Sequence, residues 1–131
     1  MDEFEQQEWV KFGVAAMLSR QYAADQRTFL ERLAQMLENA LPDETEVGRR
    51  GGLFSGKMVQ RVVVSLGDNR YTLEHPGRGA LRATRTHVVR GIALKTEELP
   101  VEEWLAEVGV LLDERARASA AARAALARWV E

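Results

Sequence analysis

The chain contains no cysteine, which excludes disulfide bonds, thiolate metal ligands and thiol nucleophiles. Its two histidines, His75 and His87, are too few for a histidine-based zinc site. The longest apolar run, residues 13–18, is far shorter than the roughly 20 residues that span a bilayer. The first residues, Met1 to Glu5, are acidic where a secretion signal would be basic. We therefore expect a cytoplasmic protein with no metal, no cofactor and no membrane contact.

Lysine is scarce beside arginine and alanine, a composition that is typical of GC-rich bacterial genomes. The chain has 131 residues, of which 46% are hydrophobic and 29% are charged, so it is long enough to bury one core and ordinary for a globular protein. We predict a single domain over residues 1–131.

Charge is plentiful, but it is sorted by segment. Residues 47–95 hold ten basic and two acidic side chains, a net charge of +8. Residues 1–46 carry a net charge of −6 and residues 96–131 a net charge of −4, so the total of −2 hides a dipolar chain. Such sorting bears on partners rather than on fold, because long-range fields steer association.

Hydrophobic spacing predicts helices at both ends of the chain. Phe29, Leu33 and Leu37 recur every four residues, and Pro42 ends this helix because the residue before a proline avoids the helical region. Upstream the chain is apolar almost all round a helix, and a break near residues 19–25 is left open. At the other end, Pro100 begins a long C-terminal helix.

The middle of the chain predicts an antiparallel sheet of about four strands between residues 45 and 95. Residues 57–66 are rich in β-branched side chains and alternate like a strand. This alternation places on one face Met58, Val62, Val64 and Leu66. The predicted fold class is therefore α+β, with both helices on one face of the sheet.

Turn residues divide the predicted sheet into its strands. Gly67, Asp68 and Asn69 form a tight hairpin turn after the first long strand. Residues 81–95 form either one long bent strand or two short ones, with Gly91 as a bulge or kink. Residues 45–50 add an edge strand.

The segment from Gly51 to Lys57 matches the spacing of a phosphate-binding loop, G-x-x-x-x-G-K. Met58 stands where that loop needs a hydroxyl for magnesium, and strand residues follow where a helix is needed. We therefore favour a glycine-rich hairpin loop. Its two large apolar side chains, Leu53 and Phe54, either fold back onto the core or fill a pocket of a partner.

The basic side chains of the strands have two interpretations. In the first they line a solvated sheet face and discourage edge pairing. In the second Arg61, Arg70, Arg82 and Arg90 form a contiguous patch that binds phosphate backbones or an acidic protein surface. Aromatic side chains that could stack on bases are missing from this patch, because Tyr71 is expected to face the core. Nucleic-acid binding would then be weakly specific and strongly salt-dependent.

A second copy of the chain is a further candidate partner. The acidic helices of one subunit would meet the basic sheet of the other. Apolar surface must supply the affinity, and the apolar N-terminal helix offers Trp9 and Phe12 for this contact.

No set of catalytic residues is recognisable. The serines lack the sequence context of a nucleophile elbow, and the acidic residues lie at helix starts and on solvent-exposed faces. We expect a protein that is not an enzyme: a protein-interaction or scaffold module of unknown pathway, forming a homodimer and binding an unidentified protein partner. The alternative is a weakly specific nucleic-acid-associated protein that uses the basic sheet face.

The order helix, sheet, helix loosely resembles the small dimeric chaperones of bacterial secretion systems. Those chaperones place a helix between strands, whereas residues 57–95 predict none. The resemblance lies at the level of fold; it implies partner binding and transfers no residues.

Overall fold

The structure, a computed structural model, describes residues 16–22, 26–51, 56–77, 79–118 and 120–130. Residues 16–22 are helical. The remaining elements, in chain order, are α1 Gln26–Ala40, β1 Thr45–Arg50, β2 Met58–Leu66, β3 Asn69–Glu74, β4 Arg82–Val89, β5 Ile92–Leu99, α2 Val101–Ala118 and α3 Ala120–Val130. Helices and an antiparallel sheet confirm the α+β class. The predicted break falls partly on residues 23–25, which lie outside the described residues.

The five strands form one meander in the order β1-β2-β3-β4-β5, and every neighbouring pair is antiparallel. The predicted count of about four strands is one too low, because residues 81–95 are divided between β4 and β5 and the latter continues to Leu99. The edge strand predicted for residues 45–50 is present as β1. Each strand pairs with its neighbour in sequence, so connections of two or seven residues join the strands.

The helices pack on one face of the sheet, which we call the helix face. One cross-strand row of this face is apolar across all five strands: Val47, Val62, Leu73, Ala83 and Leu99. The helices contribute the predicted stripes, with Phe29, Leu33 and Leu37 of α1 almost fully buried. From α2, Trp104 stacks edge-on against Tyr71 at 6.3 Å and donates its indole N–H to the Thr84 carbonyl at 3.2 Å. Burial of this apolar surface is the main stabilising term.

A β-bulge corrects the predicted facing of the first residues of β2. The register passes from Gly48 opposite Arg61 to Arg49 opposite Val59, so Gln60 is the extra residue. Because the bulge reverses the alternation, Val59 joins the core and Met58 is 44% exposed, contrary to the prediction for Met58. The Val59 N–H donates to Glu31 of α1 at 2.7 Å, which ties the bulge to the helix.

The loop between β1 and β2 begins and ends at closely approaching glycines. A Cβ at Gly51 would lie 2.2 Å from the Gly56 carbonyl oxygen, and Gly56 has a positive φ of 67°. Strand β2 follows this loop and pairs back onto β1, so the helix that a phosphate-binding loop requires is not there. Residues 52–55, including Leu53 and Phe54, lie outside the described residues.

Gly91 belongs to a turn and not to the bulge or kink predicted for it. Arg90 and Gly91 alone connect β4 to β5, and both have positive φ, 53° and 79°. Positive φ at both central residues is the geometry of a type I′ hairpin turn, which favours asparagine followed by glycine. Arg90 is a non-glycine residue with a side chain that disfavours this conformation.

We predict that Arg90→Asn stabilises the protein by about 0.5–1 kcal/mol, because asparagine tolerates positive φ better than arginine does. Thermal and urea unfolding of the two proteins provide the measurement. Gly91→Ala is the matched control: its Cβ would meet nothing within 4 Å, so the φ of 79° alone is expected to lower stability. Equal or lower stability of Arg90→Asn would contradict the prediction.

Candidate interaction surface

The β4–β5 hairpin extends beyond the rest of the sheet. The pairing of β3 with β4 stops at Asn69 opposite His87, and beyond it only the Val88 N–H bonds back to the Asp68 carbonyl at 2.8 Å, so residues 89–94 extend past β3. Exposed large hydrophobic side chains are concentrated here, with Val89 at 40%, Ile92 at 64% and Leu94 at 60% exposure. Elsewhere among the described residues, only Met58 and Val110 are comparable. Clustered apolar side chains at the surface mark an interaction site more often than isolated ones do.

Strand β5 is an edge of the sheet, and all but one of its eight residues are exposed or half-buried. A bulge at Leu94 interrupts its pairing with β4, where the register passes from His87 opposite Lys95 to Val88 opposite Ala93. The outer edge of β5 presents backbone N–H and C=O groups that β4 does not use. Such an edge can receive a further strand.

The sheet face opposite the helices, which we call the open face, carries both signs of charge. Across neighbouring strands, Glu74 lies directly between Arg61 and Arg82. Among the strand residues that pair across the sheet, four arginines and three glutamates lie on this face: Arg50, Arg61, Arg70 and Arg82, with Glu46, Glu74 and Glu98. The strong positive charge of the segment is therefore not a strongly positive sheet surface.

Ion pairs join the basic middle of the chain to its acidic flanks. Arg49 pairs with Glu38 of α1 at 2.7 Å, and Arg82 approaches Glu98 of β5 at 3.8 Å. Lys95 pairs with Glu97 at 2.8 Å. These pairs are exposed, so each contributes little to stability, but together they reduce the local excess of positive charge.

A bidentate ion pair ties α2 to the sheet on the helix face. Arg85 forms a bidentate pair with Glu107 of α2 at 2.6 and 2.8 Å and contacts Glu97 of β5 at 2.9 Å. These hydrogen bonds raise the pKa of the Arg85 guanidinium, while Lys95 and then Arg85 lower the pKa of Glu97. Burial, and then the neighbouring Glu107, raises the pKa of Tyr71 to about 12.

An open groove of about 750 Å³ lies between α2 and the helix face beside this network. Its apolar walls include Leu66 and Val110, and its polar groups include Asn69, Arg85 and Glu107. Because Arg85 already contacts two carboxylates, the groove offers no unpaired cation of its own. Exposed Val110 gives this side of α2 an apolar rim.

Three of the predicted partner-binding arginines, Arg61, Arg70 and Arg82, share the open face. Arg90 does not join them, because it forms the hairpin turn. Trp9 and Phe12 lie outside the described residues, as do Leu53 and Phe54.

The sequence prediction allowed two strands within residues 81–95 but did not single out Ile92 and Leu94 as exposed. Recognising Arg90–Gly91 as a two-residue turn would have predicted that β5 begins at Ile92. It would also have predicted that the apolar residues next to the turn lie at the exposed tip of the hairpin. The bulge at Leu94 has no comparable signal in the sequence.

The histidines occupy local structural positions. His75 Nδ1 accepts the N–H of Gly77 at 3.1 Å and so closes the turn after β3, while His87 lies 3.4 Å from the Asn69 side chain. Within the described ranges there is no group of three or more histidine, aspartate or glutamate side chains that could hold a metal ion.

Comparisons with protein-family models, with curated proteins and with solved structures returned no match. None of the helices in the described part of the chain is both long and apolar enough to cross a membrane.

We predict that Tyr71 ionises near pH 12 in the folded protein. The measurement is the phenolate absorbance of the Tyr22→Phe variant as the pH is raised. Between about pH 10 and pH 12, Tyr71 of the folded protein therefore keeps its proton, whereas Tyr71 of the unfolded chain, with the ordinary pKa of 10.0, has released it. This contribution to stability, about 3 kcal/mol, is fully present below pH 10 and is lost as the pH rises to about 12. Glu107→Gln is expected to lower the pKa of Tyr71, whereas ionisation near pH 10 in the folded protein would refute the assignment.

Proposed function

We propose that this chain is a non-catalytic protein-interaction module that works as a homodimer through the β4–β5 hairpin. The observation that carries the proposal is the concentration of exposed Val89, Ile92 and Leu94 on a hairpin whose outer strand is a sheet edge. The edge supplies backbone hydrogen bonds and the apolar tip supplies buried area, the two contributions that strand addition requires. The proposal also includes the bacterial origin and the cytoplasmic location that we expect from the composition.

Charge on β5 favours one arrangement of the two copies. If two β5 strands pair antiparallel with Thr96 opposite Thr96, Lys95 of each copy lies opposite Glu97 of the other. Opposite charges directly across an antiparallel pair are stabilising, and like charges are destabilising. Lys95 and Glu97 already pair within one subunit at 2.8 Å, so dimerisation would assemble four alternating charges on the helix face.

The same pairing would extend existing structure on both faces. On the open face Thr86 and Thr96 are hydrogen-bonded at 2.9 Å, and a second Thr96 would continue this row. On the helix face Glu97 already contacts Arg85, and Lys95 of the second copy would be its next neighbour. The two sheets would then form one continuous sheet of ten strands.

We predict that Thr96→Cys forms a disulfide-linked dimer under mild oxidation. Residues opposite each other in an antiparallel pair have Cα atoms about 4.5–5.5 Å apart, within the roughly 4.4–6.8 Å that a disulfide allows. The chain has no other cysteine, so the cross-link reports one position. Non-reducing gel electrophoresis and light scattering, with a dimer at twice 14.7 kDa, provide the measurement.

Glu98→Cys is the matched control on the same strand and is also exposed. In the proposed arrangement its two copies are separated by four residues, about 13 Å, too far for a disulfide. Equal cross-linking of both variants would contradict the arrangement. A monomer for the unmodified protein at all concentrations would contradict the homodimer itself.

We further predict that Leu94→Glu weakens the dimer at least about tenfold. This change places a carboxylate beside Glu98 of the second copy and removes an exposed apolar side chain from the contact. Val110→Glu adds the same charge at an exposed apolar position on α2 and is expected to leave the dimer unchanged. Sedimentation velocity over a range of concentrations distinguishes the two, and identical effects of both variants would exclude the hairpin as the contact.

The nucleic-acid alternative remains a prediction that we do not favour. Glu74 between Arg61 and Arg82 would repel phosphates at the centre of the predicted patch. Arg82 is further engaged by Glu98, and the aromatic Tyr71 is buried on the opposite face. Phosphate binding depends on a net positive surface, which this mixed face does not supply.

A further inference from the structure

We infer that the groove between α1 and α3 is a binding site for a small oxyanion, a carboxylate or phosphate group. This groove is separate from the hairpin and has a cavity volume of about 270 Å³. It is lined by Arg32, Gln35, Met36 and Asn39 of α1, and by Ala125, Arg128 and Trp129 of α3. The inference goes beyond the homodimer and does not depend on it.

Helical periodicity explains why these side chains converge. Residues 32, 35, 36 and 39 follow the i, i+3, i+4, i+7 spacing that places side chains on one stripe of α1. Residues 125, 128 and 129 follow the i, i+3, i+4 spacing on α3. The two helices are packed together through Phe29 and Trp129, whose ring centroids are 6.3 Å apart.

An unsatisfied buried donor lies in the groove wall. Trp129 is 7% exposed, and its indole Nε1 is buried and has no hydrogen-bond partner among the residues that the structure describes. An indole nitrogen can only donate, and no acceptor among the described residues satisfies it. A buried polar group left without a partner costs free energy and calls for an explanation. An oxyanion that displaces the side chains covering Nε1 would supply the missing acceptor.

The charge of the lining also selects an anion. It contains two arginines and no carboxylate, and within the described part of the chain neither Arg32 nor Arg128 forms an ion pair. The acidic residues of α1 are engaged on the sheet side, Glu31 by Val59 and Glu38 by Arg49. The C-terminal ends of both helices add partial negative charges of about one half each, which two full guanidinium charges outweigh.

The shape of the groove limits the size of the ligand. Its volume lies just below the roughly 300–1,000 Å³ of sites that enclose a drug-sized molecule. Met36 and Ala125, both 4% exposed, and the Trp129 ring give it an apolar floor. The amides of Gln35 and Asn39 add neutral donors at the rim. A single charged group with a small apolar body fits this combination.

The test follows the indole N–H resonance of Trp129 by NMR while sodium phosphate, sodium benzoate or sodium chloride is added. Trp129→Phe identifies the resonance among the three tryptophans. We expect a saturable shift with phosphate or with benzoate and none with chloride at equal ionic strength. The anion that shifts the resonance at lower concentration distinguishes a phosphate ligand from a carboxylate ligand.

Arg32→Gln and Arg128→Gln are expected to weaken this binding about tenfold each, because each removes a charge-assisted hydrogen bond. Both residues are exposed, so the variants should keep the thermal stability of the parent. Arg70→Gln removes an exposed arginine from the opposite face of the sheet and should leave binding unchanged. The inference is overturned if neither anion shifts the resonance, if chloride shifts it equally, or if Arg70→Gln weakens binding as much as the groove variants.

Discussion

The antiparallel register of the sheet is the constraint on which the rest of the structure depends. Successive side chains of a strand point to opposite faces, so the residue opposite each position decides which side chains share a surface. One register brings together the apolar row that starts at Val47 and ends at Leu99. The same register puts Arg85 on the helix face, where it reaches α2, and Glu74 on the open face between two arginines.

Folding mixes the charges that the sequence separates. The basic segment lies between two acidic segments in the chain, but β5 and the helices return acidic side chains to the basic strands through Glu38, Glu97 and Glu107. The sorted pattern is therefore explained in part by contacts within one subunit, without a foreign ligand. Arg32 and Arg128 on the helix layer form no ion pair with any described residue, so they are more informative about a ligand than the arginines of the strands.

The hairpin between β4 and β5 combines features that a monomer has little use for. Its tip exposes Ile92 and Leu94, its turn holds Arg90 in a backbone conformation that favours other residues, and its outer strand is an edge of the sheet that the described residues form. Charged side chains usually protect such an edge from pairing. Here Lys95 and Glu97 flank Thr96, so that antiparallel self-pairing turns these charges into attractions. The proposed homodimer rests on this symmetry.

The sequence by itself determined the α+β class, the stripes of α1 and α2, and most turns, because helical periodicity and turn chemistry are local properties. It did not determine where the alternation of a strand reverses. The bulges at Gln60 and Leu94 arise from pairing with other strands, and the first of them moved Met58 out of the core and Val59 into it. Only the tertiary structure placed residues of α1 beside residues of α3, about ninety positions later in the chain, since that contact depends on how the sheet and α2 between them pack.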